Sequence, residues 1–183
     1  MKKYFNIALF VRTAILLLAI TFLIACDKDE PTCQGIDCLP PATQTGAGTF
    51  GCLVNGVPYV DNSGRFNCFY QLVNGEYYFG IGSSKEQAGL TQIIIGSNKS
   101  PILVNNFIEF NENIDTEFYA EINLKNISGD FVTTNQTDGF ITFTKFTTNP
   151  NIVSATFEFK IKNPSTGVVY EITKGRLDAK FTQ

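Results

Sequence analysis

The sequence contains no histidine and no tryptophan, and its one methionine is Met1. Without histidine there is no Ser-His-Asp or Cys-His nucleophile, and no zinc site built on imidazole. A Ser-Lys hydrolase is also missing, because no serine has a lysine three residues on. Without tryptophan a carbohydrate platform of indole rings is excluded, although 17 Phe and 7 Tyr leave other rings for stacking. Positive charge is scarce: 14 Lys and Arg stand against 17 Asp and Glu, with no basic run. That balance argues against nucleic acid as a partner, since phosphates demand a basic face. No C-x-x-C occurs, so a dithiol redox motif is absent. No glycine-rich loop precedes a helical pattern, so no phosphate cradle is expected. No cofactor is implied, and the chain reads as a non-enzyme.

Long apolar runs are also missing, apart from the N-terminus. There Met1-Lys2-Lys3 is followed by Tyr4 to Val11, Arg12, and an apolar stretch from Ala14 to Ala25. Spanning a bilayer takes ~20 uninterrupted apolar residues, and Arg12 divides this run. A basic start, a short apolar middle and a small residue at the break form the pattern of a secretory signal, expected over 1–25 as a helix. Leu23-Ile24-Ala25-Cys26 resembles the lipobox of bacterial lipoproteins. That resemblance implies cleavage after Ala25, diacylation of the Cys26 sulfur and acylation of its freed amine. Several acyl chains, at ~0.8 kcal/mol per buried methylene, anchor stably where one chain does not. Asp27-Lys28-Asp29-Glu30 then looks like the surface-export signal of Bacteroidota lipoproteins. The expected location is therefore the outer membrane, on the cell surface, with its periplasmic face as the alternative. Removing 1–25 deletes three of the basic residues and none of the acids, leaving 158 residues with a formal charge of −6. That length suits one domain with a core of its own.

Lipidation of Cys26 leaves Cys33, Cys38, Cys52 and Cys68, an even number that suggests disulfides in an exported chain. Cys33 and Cys38 lie close together, so a local loop is the simplest pairing. Cys52 and Cys68 would then pair with each other. A hairpin at Asn55-Gly56, however, puts the strand from Val57 between them. Strands two apart are ~9.6 Å apart, and bonded cysteines need Cα atoms within ~7 Å. The second bond therefore requires the two strands to be neighbours or to face each other across the core, and buried free thiols are the alternative.

Residues 26–47 contain Pro31, Pro40, Pro41, Gly35 and Gly46 among Thr and Gln, a composition that reads as a flexible tether. The domain itself is expected over 48–183. From Thr49 onward alternation dominates. Phe157, Phe159 and Ile161 share one face, opposite Glu158, Lys160 and Lys162. Leu177, Ala179 and Phe181 alternate with Arg176, Asp178 and Lys180. Phe118, Ala120, Ile122 and Leu124 do so with Tyr119, Glu121, Asn123 and Lys125. Ile93, Ile94 and Ile95 run together, as in a strand covered on both faces. Turn residues punctuate these runs at Asn55-Gly56, Asn74-Gly75, Ser128-Gly129, Asp138-Gly139, Asn149-Pro150 and Asn163 to Gly167. The one helical hint is Lys85-Glu86-Gln87-Ala88. These signals predict an all-β antiparallel meander of about ten strands. A barrel-like closure is favoured, with a two-sheet β-sandwich as the alternative.

Few residues suggest chemistry. Asn111 to Glu117 offers oxygens at alternate positions. A calcium loop would need Gly at Thr116 and Glu at Ile122, and it has neither. Glu109, Glu112, Asp115 and Glu117 read as solvated strand-end charges rather than a glycosidase pair. Tyr77, Tyr78 and Phe79 can line a ligand site but more commonly pack across strands.

Two segments carry a family resemblance. One runs from Leu39-Pro40-Pro41-Ala42-Thr43-Gln44-Thr45 through Thr49-Phe50-Gly51-Cys52 to Asn55-Gly56. The other includes Thr156-Phe157-Glu158-Phe159 and Ile172-Thr173-Lys174-Gly175-Arg176-Leu177-Asp178. They are similar to the opening and closing motifs of a family of small Bacteroidota lipoproteins with no assigned function. Ala155 and Leu177 stand where that family tends to have Gly and Phe. The resemblance implies an extracytoplasmic β domain and transfers no catalytic residue. Together these readings point to a membrane-anchored, non-enzymatic domain. It would hold a small apolar ligand in a barrel interior lined by Phe and Tyr, or dock on another envelope protein as an accessory or structural component.

Overall fold

The computed structural model describes residues 33–64 and 66–183. The leader 1–25, Cys26 and Asp27 to Glu30 lie outside the described residues. Among those described there is no α-helix, only a 3-10 turn at Gly35–Cys38 and eleven strands. In chain order the strands are β1 (Thr49–Val54), β2 (Val57–Asp61), β3 (Asn67–Val73), β4 (Glu76–Gln87), β5 (Leu90–Ser97), β6 (Phe107–Glu109), β7 (Phe118–Leu124), β8 (Asp130–Val132), β9 (Gly139–Thr148), β10 (Asn151–Lys162) and β11 (Val169–Lys180).

The strands form two antiparallel sheets. One has the order β2-β1-β11-β10-β9-β6, the other β3-β4-β5-β7-β8. The all-β antiparallel expectation is met by the two-sheet sandwich; the sheets do not close into the favoured barrel. The reason lies at the margins. Edge strands β6 and β8 have three residues each, and ladder pairing between the sheets is limited to isolated bridges, Phe110 with Phe118 and Phe69 with Thr182, where closure needs full ladders.

The two-residue turns follow the sequence. Val54 pairs with Val57 around Asn55-Gly56, and Val73 with Glu76 around Asn74-Gly75. All four turn residues have positive φ, 49° and 82° in the first turn and 53° and 86° in the second. That is the primed geometry whose twist matches the strands. The helical hint at Lys85 to Ala88 is corrected. Lys85 to Gln87 complete β4, and Ala88-Gly89 turn the chain into β5, with Gln87 paired to Leu90. An alanine at φ 52° gave no local signal for that turn.

Alternation places the core. Phe50, Tyr59, Phe79, Phe110, Phe143, Phe157 and Phe159 are fully buried between the sheets, with Ile81, Ile93, Ile95 and Ile122. Their rings meet edge to face, as in Phe79–Phe143 and Phe110–Phe159, at 5.4 and 5.7 Å. The space that a barrel interior would offer a ligand is occupied by these side chains. Ile94 departs from the expectation of a strand covered on both faces: Ile93 and Ile95 are buried, while Ile94 is half-exposed on the outer surface.

Cys33 and Cys38 are bonded, their Cα atoms 5.1 Å apart. Cys52 and Cys68 are buried free thiols, so the second pairing is corrected. Cys52 sits on β1, whose neighbours are β2 and β11, and Cys68 on β3 of the other sheet; packed sheets stand ~10 Å apart, beyond the ~7 Å Cα reach of a bond. Burial pushes both thiols up to about 12, which suppresses the nucleophilic thiolate. Iodoacetamide is therefore expected to leave Cys52 and Cys68 unlabelled in the native protein and to label both after denaturation without reductant. Mass spectrometry of the digested chain checks this, and native labelling of either residue would contradict the packing.

The expected tether divides. Residues 26–32 lie outside the described region, whereas 33–47 belong to the domain. Leu39 is buried, and Pro40 lies over Gly51, where an added Cβ would stand 2.6 Å from Pro40 Cδ. Arg176 Nη1 donates to the Pro40 carbonyl at 3.3 Å, and Lys145 Nζ to that of Gln44 at 2.8 Å. Local composition suggested flexibility; the Lys145 and Arg176 side chains that hydrogen-bond this strap come from more than a hundred residues away.

Candidate functional site

The groove on the outer face of the five-stranded sheet has a volume of about 630 Å3. Register across four strands builds it. One row reads Phe69, Gly80, Gly96, Tyr119, and the next Asn67, Gly82, Ile94, Glu121. A third row brings Ser84, Gln92 and Asn123 side by side. The end of β2 supplies Asp61 and the loop after it Ser63 along one wall.

Glycine inside a strand weakens it and often marks a close approach by another group. Gly80, Gly82 and Gly96 all have ordinary φ, so conformational freedom does not explain them. At Gly80 a Cβ would stand 2.5 Å from Phe69 Cε1 and Cζ, and at Gly96 it would stand 2.7 Å from Tyr119 Oη. Each aromatic side chain lies against the glycine of the neighbouring strand. Gly82 differs. Among the described residues a Cβ there would meet only Gln92 Nε2 at 3.5 Å and Ile94 Cγ1 at 3.8 Å, both ordinary contacts. The floor is open at that point.

Polar groups are held in place around it. Asn123 Nδ2 donates to Gln92 Oε1 at 3.0 Å, which leaves Gln92 Nε2 beside Gly82. Burial, then the nearby Asp130, raise the Glu121 carboxyl above its ordinary value. Burial also tends to raise Asp61, but hydrogen bonds from Ser63 and Ser83 outweigh it and hold that carboxyl below the usual range. Ser83 Oγ donates to Asp61 Oδ2 at 3.2 Å, and Tyr59 Oη to the Ser83 carbonyl at 3.1 Å. This buried chain fixes the junction of β2 with β4, and hence the wall of the groove. Burial pushes the Tyr59 phenol up to about 12, so it stays protonated.

The residues singled out from sequence lie elsewhere or scatter. Tyr77 stacks on Tyr70 at 5.2 Å, Phe79 is in the core and Tyr78 is half-buried on the outer face. In the acidic turn Asn111 Nδ2 donates to Glu117 Oε2 at 2.9 Å, and Lys99 pairs with Asp115. Among the described residues no cluster of Cys, Asp or Glu has the arrangement of a metal site. Cys33 and Cys38 are bonded, and Cys52 and Cys68 are sealed in the core, so none of the described cysteines lines the groove. The groove residues were missed because each is unremarkable in its own strand. The available signal was three strand-interior glycines, Gly80, Gly82 and Gly96, and it gains meaning only from cross-strand register.

A second constellation surrounds Asp178. Its Oδ2 accepts from Thr43 Oγ1 at 2.6 Å and from the Thr45 and Ala47 amides at 2.9 and 3.2 Å. Its Oδ1 accepts from the Gly46 amide and from Ser154 Oγ, both at 2.8 Å. Burial opposes the charge, but these donors outweigh it and hold the carboxyl far below the ordinary carboxylate range. A carboxylate saturated in this way is a clip for the strap, with no lone pair left for substrate chemistry.

Scans against protein-family models, curated proteins and solved structures found no match to the chain.

Proposed function

We propose that the chain is an extracytoplasmic lipoprotein whose sandwich is a non-enzymatic binding module, with its ligand seated in the outer groove of the five-stranded sheet. The observation that carries this reading is the bare floor at Gly82, flanked by rings and oriented amides. Glycine there sacrifices strand propensity for room, which packing within the domain does not use. The anchor rests on the leader 1–25 and the Leu-Ile-Ala-Cys26 pattern, with acyl chains holding the outer membrane at the cell surface or at its periplasmic face. Between Cys26 and Cys33 lie seven residue steps, about 24 Å at full extension. The domain would therefore sit near the lipid surface.

Native mass spectrometry of the full chain, exported in a Gram-negative host, tests the reading. Extra mass that leaves on denaturation, and that is lost in Gly82→Leu, is the expected result. A bare native mass in both proteins would count against it. The competing reading, an accessory protein docking on an envelope protein, is favoured by Leu72, Val73 and Tyr77, exposed together at the β3–β4 hairpin tip.

A further inference from the structure

Resting on the groove as the binding site, we infer that its ligand is a neutral saccharide, laid along the sheet across Gly82. The groove offers two kinds of contact side by side. Phe69 and Tyr119 lie against Gly80 and Gly96 and supply half-exposed aromatic surface along one row. The adjacent rows carry the Gln92 amide, steered by Asn123, and Asn67 directly across from Gly82. A sugar ring has the matching duality, with a face of C–H groups and a rim of hydroxyls that both donate and accept. Side-chain amides likewise both donate and accept, and aromatic rings supply the apolar contact.

Other ligand classes fit less well. An acyl chain or an apolar ring gains most when enclosed over 70–90% of its surface, by the general rule for apolar sites. This groove is an open trough on a sheet face, and the enclosed interior is already filled by core side chains. An anionic ligand meets unfavourable charge. Asp61 is held ionised on the wall with the Lys85 ammonium near it, Glu121 lies at the end of the Gly82 row, and the chain has a net charge of −3, so acids outnumber bases here. Acidic polysaccharides are therefore repelled, and neutral ones are not.

The test uses the full chain purified after export, spread over an array of neutral glucans, galactans, mannans, xylans and chitin oligosaccharides, with polygalacturonate as the acidic member. Retention on at least one neutral glycan and none on polygalacturonate is expected. Titration of that glycan can be followed by tyrosine emission, because no tryptophan masks it. The added Cβ of Gly82→Leu meets only side-chain atoms of the described residues, at 3.5 Å and beyond, so filling the floor should weaken binding at least about tenfold, equivalent to ~1.4 kcal/mol, while the melting temperature holds. Tyr119→Ala should weaken binding as well. No retention on any neutral glycan, or unchanged affinity in Gly82→Leu, overturns the saccharide. The native mass separates this failure from that of the groove itself. Extra mass lost in Gly82→Leu that is not a sugar keeps the groove and removes the saccharide, whereas bare native mass with an empty array removes both.

Discussion

Replacing Asp178 by alanine is expected to cost about 3–5 kcal/mol of stability and to release the strap 39–47 from the sheet. The magnitude follows from what the carboxylate satisfies. Hydrogen bonds to a charged acceptor contribute ~1.5–3 kcal/mol each and are not additive, and dismantling one side of a buried charged network typically costs ~3–5 kcal/mol. Without Asp178 the amides of Thr45, Gly46 and Ala47 lose their acceptor, as do the hydroxyls of Thr43 and Ser154. The strap amides can recover only by leaving the sheet for water. Urea unfolding measures the loss, and proteinase K measures the release. Wild type should resist cleavage within 39–47, whereas Asp178→Ala should be cut there below its melting temperature. A variant within 1 kcal/mol of wild type by this scale, with an uncut strap, would sink the account. The pH dependence has a definite sign. The folded carboxyl titrates below its unfolded value, ~3.9 for a free aspartate. Its stabilisation is thus complete above about pH 5 and is lost as the pH falls toward the folded value. Wild-type stability should fall on acidification more steeply than that of Asp178→Ala, and parallel profiles would exclude Asp178 as the responsible group.

Gly175→Ala should be nearly as damaging, at about 3 kcal/mol, the upper part of the range for overpacking. Gly175 lies opposite Phe157 in the β10–β11 ladder, next to a register shift. A Cβ there would stand 2.5 Å from the Phe157 carbonyl oxygen and would also collide with the ring. The ring is fully buried against Phe50 and Phe159, with centroids 5.3 and 6.2 Å away, so it has nowhere to rotate. The backbone of β10 must shift instead. At ~2–4 °C per kcal/mol for a chain of this size, the melting temperature should drop by roughly 6–12 °C. Phe157→Ala alone should cost ~3–5 kcal/mol through its cavity. The double variant should cost less than the sum, because removing the ring relieves part of the collision. Additive losses would show that the ring does not make Gly175 necessary.

These two residues also connect the two sequence segments that carried the family resemblance. The opening segment contributes Thr43, Thr45 and Gly46, and the closing segment contributes Asp178. Gly175 of the closing segment receives Phe157 from the Thr156 to Phe159 stretch. Thr43, Thr45 and Gly46 meet Asp178, and Gly175 meets Phe157, so each of these residues has a hydrogen-bonding or packing task.

Much of the fold was legible locally. Period-two alternation in β7, β10 and β11 placed Phe118, Phe157 and Leu177 inward because a strand side chain has two directions and water decides between them. Asn55-Gly56 and Asn74-Gly75 announced hairpins because both residues tolerate positive φ. The Cys33–Cys38 bond was legible from proximity in the chain. Beyond this point local information ended. Whether the sheets closed depended on edge strands and bridges whose partners lie far apart in sequence, so barrel and sandwich read alike. Asp178 alternates with core residues and so reads as solvent-facing; only the returning strap makes it buried. The same holds for Cys52 and Cys68, whose separation is set by sheet order. The groove is the clearest case. Gly80, Gly82 and Gly96 are isolated glycines in separate stretches, and only register brings them level with Phe69 and Tyr119. Local chemistry by itself determined which residues turn and which strands alternate. Tertiary structure alone decided where the strands meet, and therefore what clips the strap and where the groove lies.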